Sequence, residues 1–139
     1  PKLPNHDGNL NRYQQRHELD YLPNEMLDII DYYAASDDRL YIDVAQLIKH
    51  SIGLINEARS IPVQPILVYI YWQPTNWFDL ELFRCHEREI QDFKKRIGTV
   101  IPFLPLPYLE FWKIFETDPT FKVHIELVKE RYAMALPQH

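Results

Sequence analysis

The sequence predicts a mixed α/β fold built around one βαβ unit with parallel strands and packed by several helices. Three observations predict it. Residues 66–72 (ILVYIYW) are apolar without a break, as in a strand covered on both faces. Residues 78–97 repeat apolar positions at helical spacing. Residues 99–104 (TVIPFL) form a second, shorter apolar run. A strand, helix, strand succession needs a crossover, which makes the strands parallel and the connection right-handed.

Each element follows from its residues. In the first strand Ile66, Val68, Ile70 and Trp72 share one side, and Leu67, Tyr69 and Tyr71 the other. Gln73-Pro74-Thr75-Asn76 is turn-forming. The helix over 78–97 should bury Leu82, Phe83, His86, Ile90, Phe93 and Ile97. Its solvent face carries Glu81, Arg84, Glu87, Arg88, Gln91, Lys94 and Lys95, with acids early and bases late, as the helix dipole favours. Gly98 is a natural stop. Pro102 has no N–H for a ladder, so the second strand is expected at a sheet edge or bent. Pro105 and Pro107 lead into a short helix over 108–116, and Asp118-Pro119 opens a last helix to about Ala135.

Before the βαβ unit, Met26, Leu27, Ile30 and Tyr33 mark a helix over 24–36. Ser36-Asp37-Asp38 should end it and cap the next, over 38–58, which Leu40, Val44, Leu47, Ile48, Ser51, Ile52 and Ile55 line on one side. Residues 1–22 are polar and without period, and read as an arm or loop with a weak helix over 10–20. Residues 23–139 read as a single α/β domain. A chain of 139 residues suits one domain, and such a domain buries roughly two thirds of its unfolded surface.

Composition narrows the function classes. A hydrophobic share of 46% and an aromatic share of 14% argue against global disorder. Three glycines against eleven prolines disfavour glycine-rich nucleotide loops. The single cysteine, Cys85, cannot pair within the chain, which points to a cytoplasmic protein. No run is long and apolar enough to span a bilayer, and the polar start is not a signal peptide. A net charge of −5 leaves room for a local basic groove.

Familiar catalytic signatures are absent: no G-x-G-x-x-G, P-loop, G-x-S-x-G, H-E-x-x-H or C-x-x-C. His6, His17 and His139 read as flexible polar residues rather than metal ligands. The best polar cluster is Asp43, Gln46 and His50 on one helical stripe, flanked by Lys49. Two readings stay open for it: a solvated face, or a stripe looking into a cleft. In a cleft, Gln46 and Lys49 would position a water or phosphate and His50 would shuttle a proton. His86 falls on an apolar stripe and reads as a core histidine bonded to a neighbour. Lys94, Lys95 and Arg96 read as dipole complementation, with phosphate contact as the alternative. Tyr69, Tyr71, Trp72 and Trp77 read as packing. Cys85 has no positioned base and reads as inert. In parallel sheets ligands sit beyond the carboxyl ends of strands, here 72–76 and 104–107.

These residues resemble a family. Gln46-Leu47-Ile48-Lys49-His50, then Ile66-Leu67-Val68-Tyr69-Ile70-Tyr71-Trp72-x-Pro74, then Phe83-x-x-His86, is similar to the back half of restriction-endonuclease-like proteins of the PD-(D/E)xK superfamily. Pro107-Tyr108-x-x-Phe111-Trp112 and His124-x-x-Leu127-x-x-x-Arg131-Tyr132 fit the same order, so the resemblance spans roughly 40–132. It rests on order and spacing, not on one motif.

The resemblance implies a nuclease fold with a mixed central sheet, DNA as the partner and Mg²⁺ as the cofactor. An early β-meander would carry an Asp and a (D/E)-x-K that hold the metal, and a following helix would supply Gln46, Lys49 and His50 in supporting catalytic roles. The sequence departs from this pattern. Glu126-Leu127-Val128-Lys129 has the wrong spacing, and it and Asp43-Val44-Ala45-Gln46 both fall on predicted helices. The meander would belong before residue 40. The expectation is therefore the C-terminal part of a longer Mg²⁺-dependent nuclease, its carboxylates upstream of Pro1, and inactive alone. The abrupt polar start favours that over the alternative, a non-catalytic interaction module on the same scaffold. A third expectation, a small-molecule enzyme, requires His50 half-buried beside a carboxylate.

Overall fold

The computed structural model describes residues 19–36 and 40–137. Helix α1 (Asn24–Ala34) and helix α2 (Val44–Ala58) form where the apolar periodicity places them. Met26, Ile29, Ile30 and Tyr33 of α1, and Val44, Leu47, Ile48, Ser51 and Ile52 of α2, are buried. α2 begins later than expected because Asp43 is its N-cap. The Asp43 carboxylate accepts the Gln46 backbone N–H at 2.9 Å. Of the expected cap at 36–38, positions 37 and 38 lie outside the described residues. So does the weak helix of 10–20 but for its last two residues, where Leu19 packs into the core; Leu22 does the same.

The βαβ unit is present. Strand β1 (Leu67–Tyr71) is followed by a single 3₁₀ turn at Trp77–Asp79, helix α3 (Glu81–Ile97) and strand β2 (Phe103–Pro107). The strands pair in parallel, from Leu67 opposite Phe103 to Tyr71 opposite Pro107. The chain is thus mixed α/β, with five α-helices and one two-stranded sheet among the described residues.

The bounds of the second strand are corrected. The second strand lies at 103–107, not 99–104. Thr99 to Ile101 belong to the turn leaving α3, where Ile101 is buried. Pro105 and Pro107 do not end the strand, for a reason visible in the ladder. The Leu67 N–H donates to the Pro102 carbonyl at 2.9 Å. In a parallel ladder that phase gives the inner edge of β2 to Leu104 and Leu106 and turns residues 103, 105 and 107 outward. Proline at an outward position loses no ladder bond.

The sheet is also not covered on both sides. Leu67 and Tyr71 are buried, but Ile66, Val68, Ile70 and Leu104 are 55%, 47%, 42% and 46% exposed. Val68 pairs with Leu104, so one face of the sheet is an open apolar surface. The unbroken apolar run marks a face suited to burial; the described residues do not bury it.

α3 is the centre of the core. Its Ile90, Phe93 and Ile97 are fully buried. Phe93 meets Phe103 edge-to-face at 5.1 Å and Tyr33 at 6.0 Å, joining β2 and α1 to α3. Leu82 is exposed rather than buried. The Glu89 carboxylate accepts the backbone N–H groups of Tyr41 and Ile42, at 2.6 and 3.1 Å. It thereby fixes the chain immediately before the Asp43 cap. Farther on, helix α4 (Tyr108–Lys113) and helix α5 (Lys122–Tyr132) enclose a separate aromatic group of Phe111, Trp112, Phe115 and Phe121.

The Glu89 bridge yields a stability test. Glu89→Ala leaves two backbone donors without their charged acceptor and should cost about 1–3 kcal/mol in urea unfolding. Glu89→Gln keeps an acceptor oxygen and should cost less. Equal, small losses in both variants would show that the bridge contributes nothing.

Candidate functional site

The Asp43, Gln46, His50 stripe forms as the spacing predicts. Gln46 Nε2 lies 2.9 Å from His50 Nε2, one helical turn away. The amide nitrogen can only donate, so Nε2 of the imidazole accepts. Both side chains are exposed.

The stripe borders an open groove. Asp43, Gln46, Lys49, His50, Gly53 and Leu54 of the α2 region form one wall of a groove of about 810 Å³. Ile66 to Tyr69 form the other. The three sequence-predicted site residues, Gln46, Lys49 and His50, thus open on a common space. Among the described residues His50 bonds an amide and is exposed, whereas the small-molecule reading needs it half-buried beside a carboxylate.

Charge in the groove is unevenly used. Among the described residues, the one carboxylate on its wall, Asp43, is engaged as the helix cap. Lys49 has no ion-pair partner among the described residues. Asp43 lies close enough to raise the pKa of the Tyr69 phenol, although burial is the larger cause. Among the described residues no group of three or more His, Cys, Asp or Glu side chains could hold a metal ion. The donor set on this wall therefore does not fit Mg²⁺. His6, His17 and His139 lie outside the described residues.

The groove lies away from the carboxyl end of β1. Residues 132–136 cover the end of β1. Trp72 Nε1 donates to the Tyr132 carbonyl at 3.0 Å, and the Thr75 N–H to the Met134 carbonyl at 2.9 Å. Asn76 exchanges two hydrogen bonds with the Leu136 backbone, at 2.8 and 2.9 Å. The groove instead flanks the first half of β1. Its position depends on where α2 crosses the strand, which periodicity does not reveal.

A smaller cavity of about 430 Å³ adjoins the second half of β1, lined by Tyr41, Tyr69 to Trp72, Leu82, Phe83 and His86. His86 is bonded to a neighbour as the sequence suggests, but it is half-buried on the cavity wall rather than in the core. Burial lowers its pKa, and Glu87 opposes that effect. Tyr69 Oη and His86 Nε2 lie within hydrogen-bond distance, 3.2 Å apart. Glu87 was expected on the solvent face but accepts the Tyr71 hydroxyl at 3.0 Å. Together with burial, that carboxylate pushes the Tyr71 pKa well above its ordinary range.

Cys85 is half-buried, with its thiol 3.3 Å from Glu81 Oε1 and 3.0 Å from Arg88 Nη2. It does not line the groove. Arg96 bonds Asp92 at 2.9 Å and stacks on Tyr32, its guanidinium carbon 3.5 Å from the ring centroid. That engagement supports the structural reading of the basic run. No helix among the described residues is long and apolar enough to cross a membrane.

No family model, curated protein or solved structure matches the chain.

His86 gives a pH prediction. Its folded pKa is depressed, so the unfolded chain binds its proton more readily. Its contribution is complete above the unfolded value of about 6.5 and is lost as pH falls towards the folded value. The urea midpoint should drop between pH 7.5 and pH 5, and His86→Gln should flatten part of that drop. An unchanged slope in His86→Gln would remove His86 as its source.

Proposed function

We propose that this chain is the C-terminal part of a Mg²⁺-dependent nuclease and supplies the phosphate-facing helix of its site. One observation carries the reading: Gln46, Lys49 and His50 open on a single groove in which Lys49 has no acid partner among the described residues. A free ammonium, an amide and an imidazole side by side are donors suited to phosphate oxygens. Lys49 attracts the backbone charge. Gln46 orients His50 through their hydrogen bond, and His50 holds or delivers a proton at the phosphate. The described residues do not fit Mg²⁺, so the carboxylates that would hold the metal come from another segment. This division agrees with the order of residues that resembles the restriction-endonuclease-like proteins.

A labelled DNA duplex tests the reading. Fluorescence anisotropy at low salt should show binding that weakens as salt rises. Lys49→Ala should weaken binding and reduce the salt slope by about one counterion. With Mg²⁺ added, the chain alone should leave the duplex uncut. Absence of binding at low salt, or cleavage by this chain with Mg²⁺, overturns the proposal.

The open apolar face of the sheet favours a second reading, a non-catalytic interaction module on the same scaffold. It predicts no duplex binding and no dependence on Lys49.

A further inference from the structure

The two edges of the sheet differ. On β2 the outward positions include Pro105 and Pro107, which have no N–H to offer. Proline is a standard guard against further strand pairing. β1 carries no such guard. The Leu67 N–H donates to the Pro102 carbonyl, so the backbone groups of Leu67, Tyr69 and Tyr71 face β2. Those of Val68 and Ile70 face the other way. Among the described residues, no backbone group bonds to them.

Three further features surround this edge. The exposed side chains of Ile66, Val68 and Ile70 lie along it, with Leu104 beside Val68 continuing the apolar face. The large groove borders the first half of β1 and the aromatic cavity the second, with Tyr69 common to both. The rim of the groove carries Lys49, which has no acid partner among the described residues.

We propose that the outer edge of β1 docks an extended strand of another polypeptide segment. The strand is apolar at alternate positions and carries an acidic side chain beside Lys49. The N–H and C=O groups of Val68 and Ile70 supply its ladder. Its alternate apolar side chains extend the face of Ile66, Val68, Ile70 and Leu104, and its other side chains enter the two cavities. Lys49 selects an acid at the groove end. This is strand addition, in which backbone bonds give affinity and alternate pockets give specificity. It goes beyond the nuclease reading and does not depend on it.

The probe is a fluorescent peptide of about eight residues, alternating Val and Thr with Glu at one end, a length that matches a typical strand. Anisotropy with the full chain should show saturable binding. Ile70→Pro removes an outward N–H together with the Ile side chain and should weaken binding by about tenfold. Ile70→Thr keeps that N–H and should retain most of the binding. Lys in place of the peptide's Glu should weaken binding about threefold, and Lys49→Ala should abolish that difference. A peptide N-methylated on its pairing edge should not bind, which tests the proposal without altering the protein. No binding of the parent peptide, or equal binding of the N-methylated one, overturns it. Sedimentation showing a dimer that the peptide leaves intact and Ile70→Pro dissolves would assign the edge to a second copy instead, and also overturns it. Duplex binding is measured separately, so failure here leaves the nuclease reading standing and the reverse holds too.

Discussion

The carboxylate of Glu89 is the interaction on which the geometry of the groove depends. It rises from the middle of α3 and accepts two consecutive backbone N–H groups, those of Tyr41 and Ile42. Next in the chain comes Asp43, the cap that starts α2. Glu89 thus fixes the point at which α2 begins, relative to the helix that organises the core. Gln46, Lys49 and His50 follow within two turns, so their place on the groove wall is set from α3. Neighbours in the same helix anchor the remaining elements: Phe93 holds β2 and α1, and Asp92 accepts from Tyr33 of α1 at 3.2 Å. One helix carries both the apolar contacts and the polar bridge because its apolar stripe is bordered by carboxylates. Glu89 directly precedes the buried Ile90.

That border residue shows what sequence reading reached and where it stopped. The helices and the parallel βαβ unit were legible, since amphipathic periods of 3.6 and short apolar runs record the side that packs. The Gln46–His50 pair was legible as an i, i+4 stripe. The groove was not, because it depends on the distance between α2 and β1, two elements whose relative placement leaves no periodic mark. Glu89 carried only a weak signal, a charge on the flank of a buried stripe. The sequence expectation ends the second strand at Leu104 and gives Pro105 and Pro107 to the lead into α4, whereas both lie in β2. Their spacing of two was the better clue, since it places both prolines on the same outward edge. The two-sided burial of β1 failed differently: an apolar run records fitness for burial, and the described residues provide no cover for that face.

The same facts connect the open edge to the polar stripe. A strand with no guard on its outer edge and an uncovered apolar face is an aggregation hazard unless something pairs with it. Here that edge forms one wall of the groove, and Gln46, Lys49 and His50 line the other. Any strand added to β1 therefore lies beside these three side chains. If the chain is part of a nuclease, a segment that supplies metal-binding carboxylates has a place to dock within reach of them. If it is an interaction module, the same edge is its binding surface and Lys49 its charge selector. The two readings share a scaffold and differ in what the added strand carries. Substitution at Ile70 changes docking alone, whereas substitution at Lys49 changes both docking and phosphate binding. Comparing those two variants against peptide and duplex separates the readings on one protein.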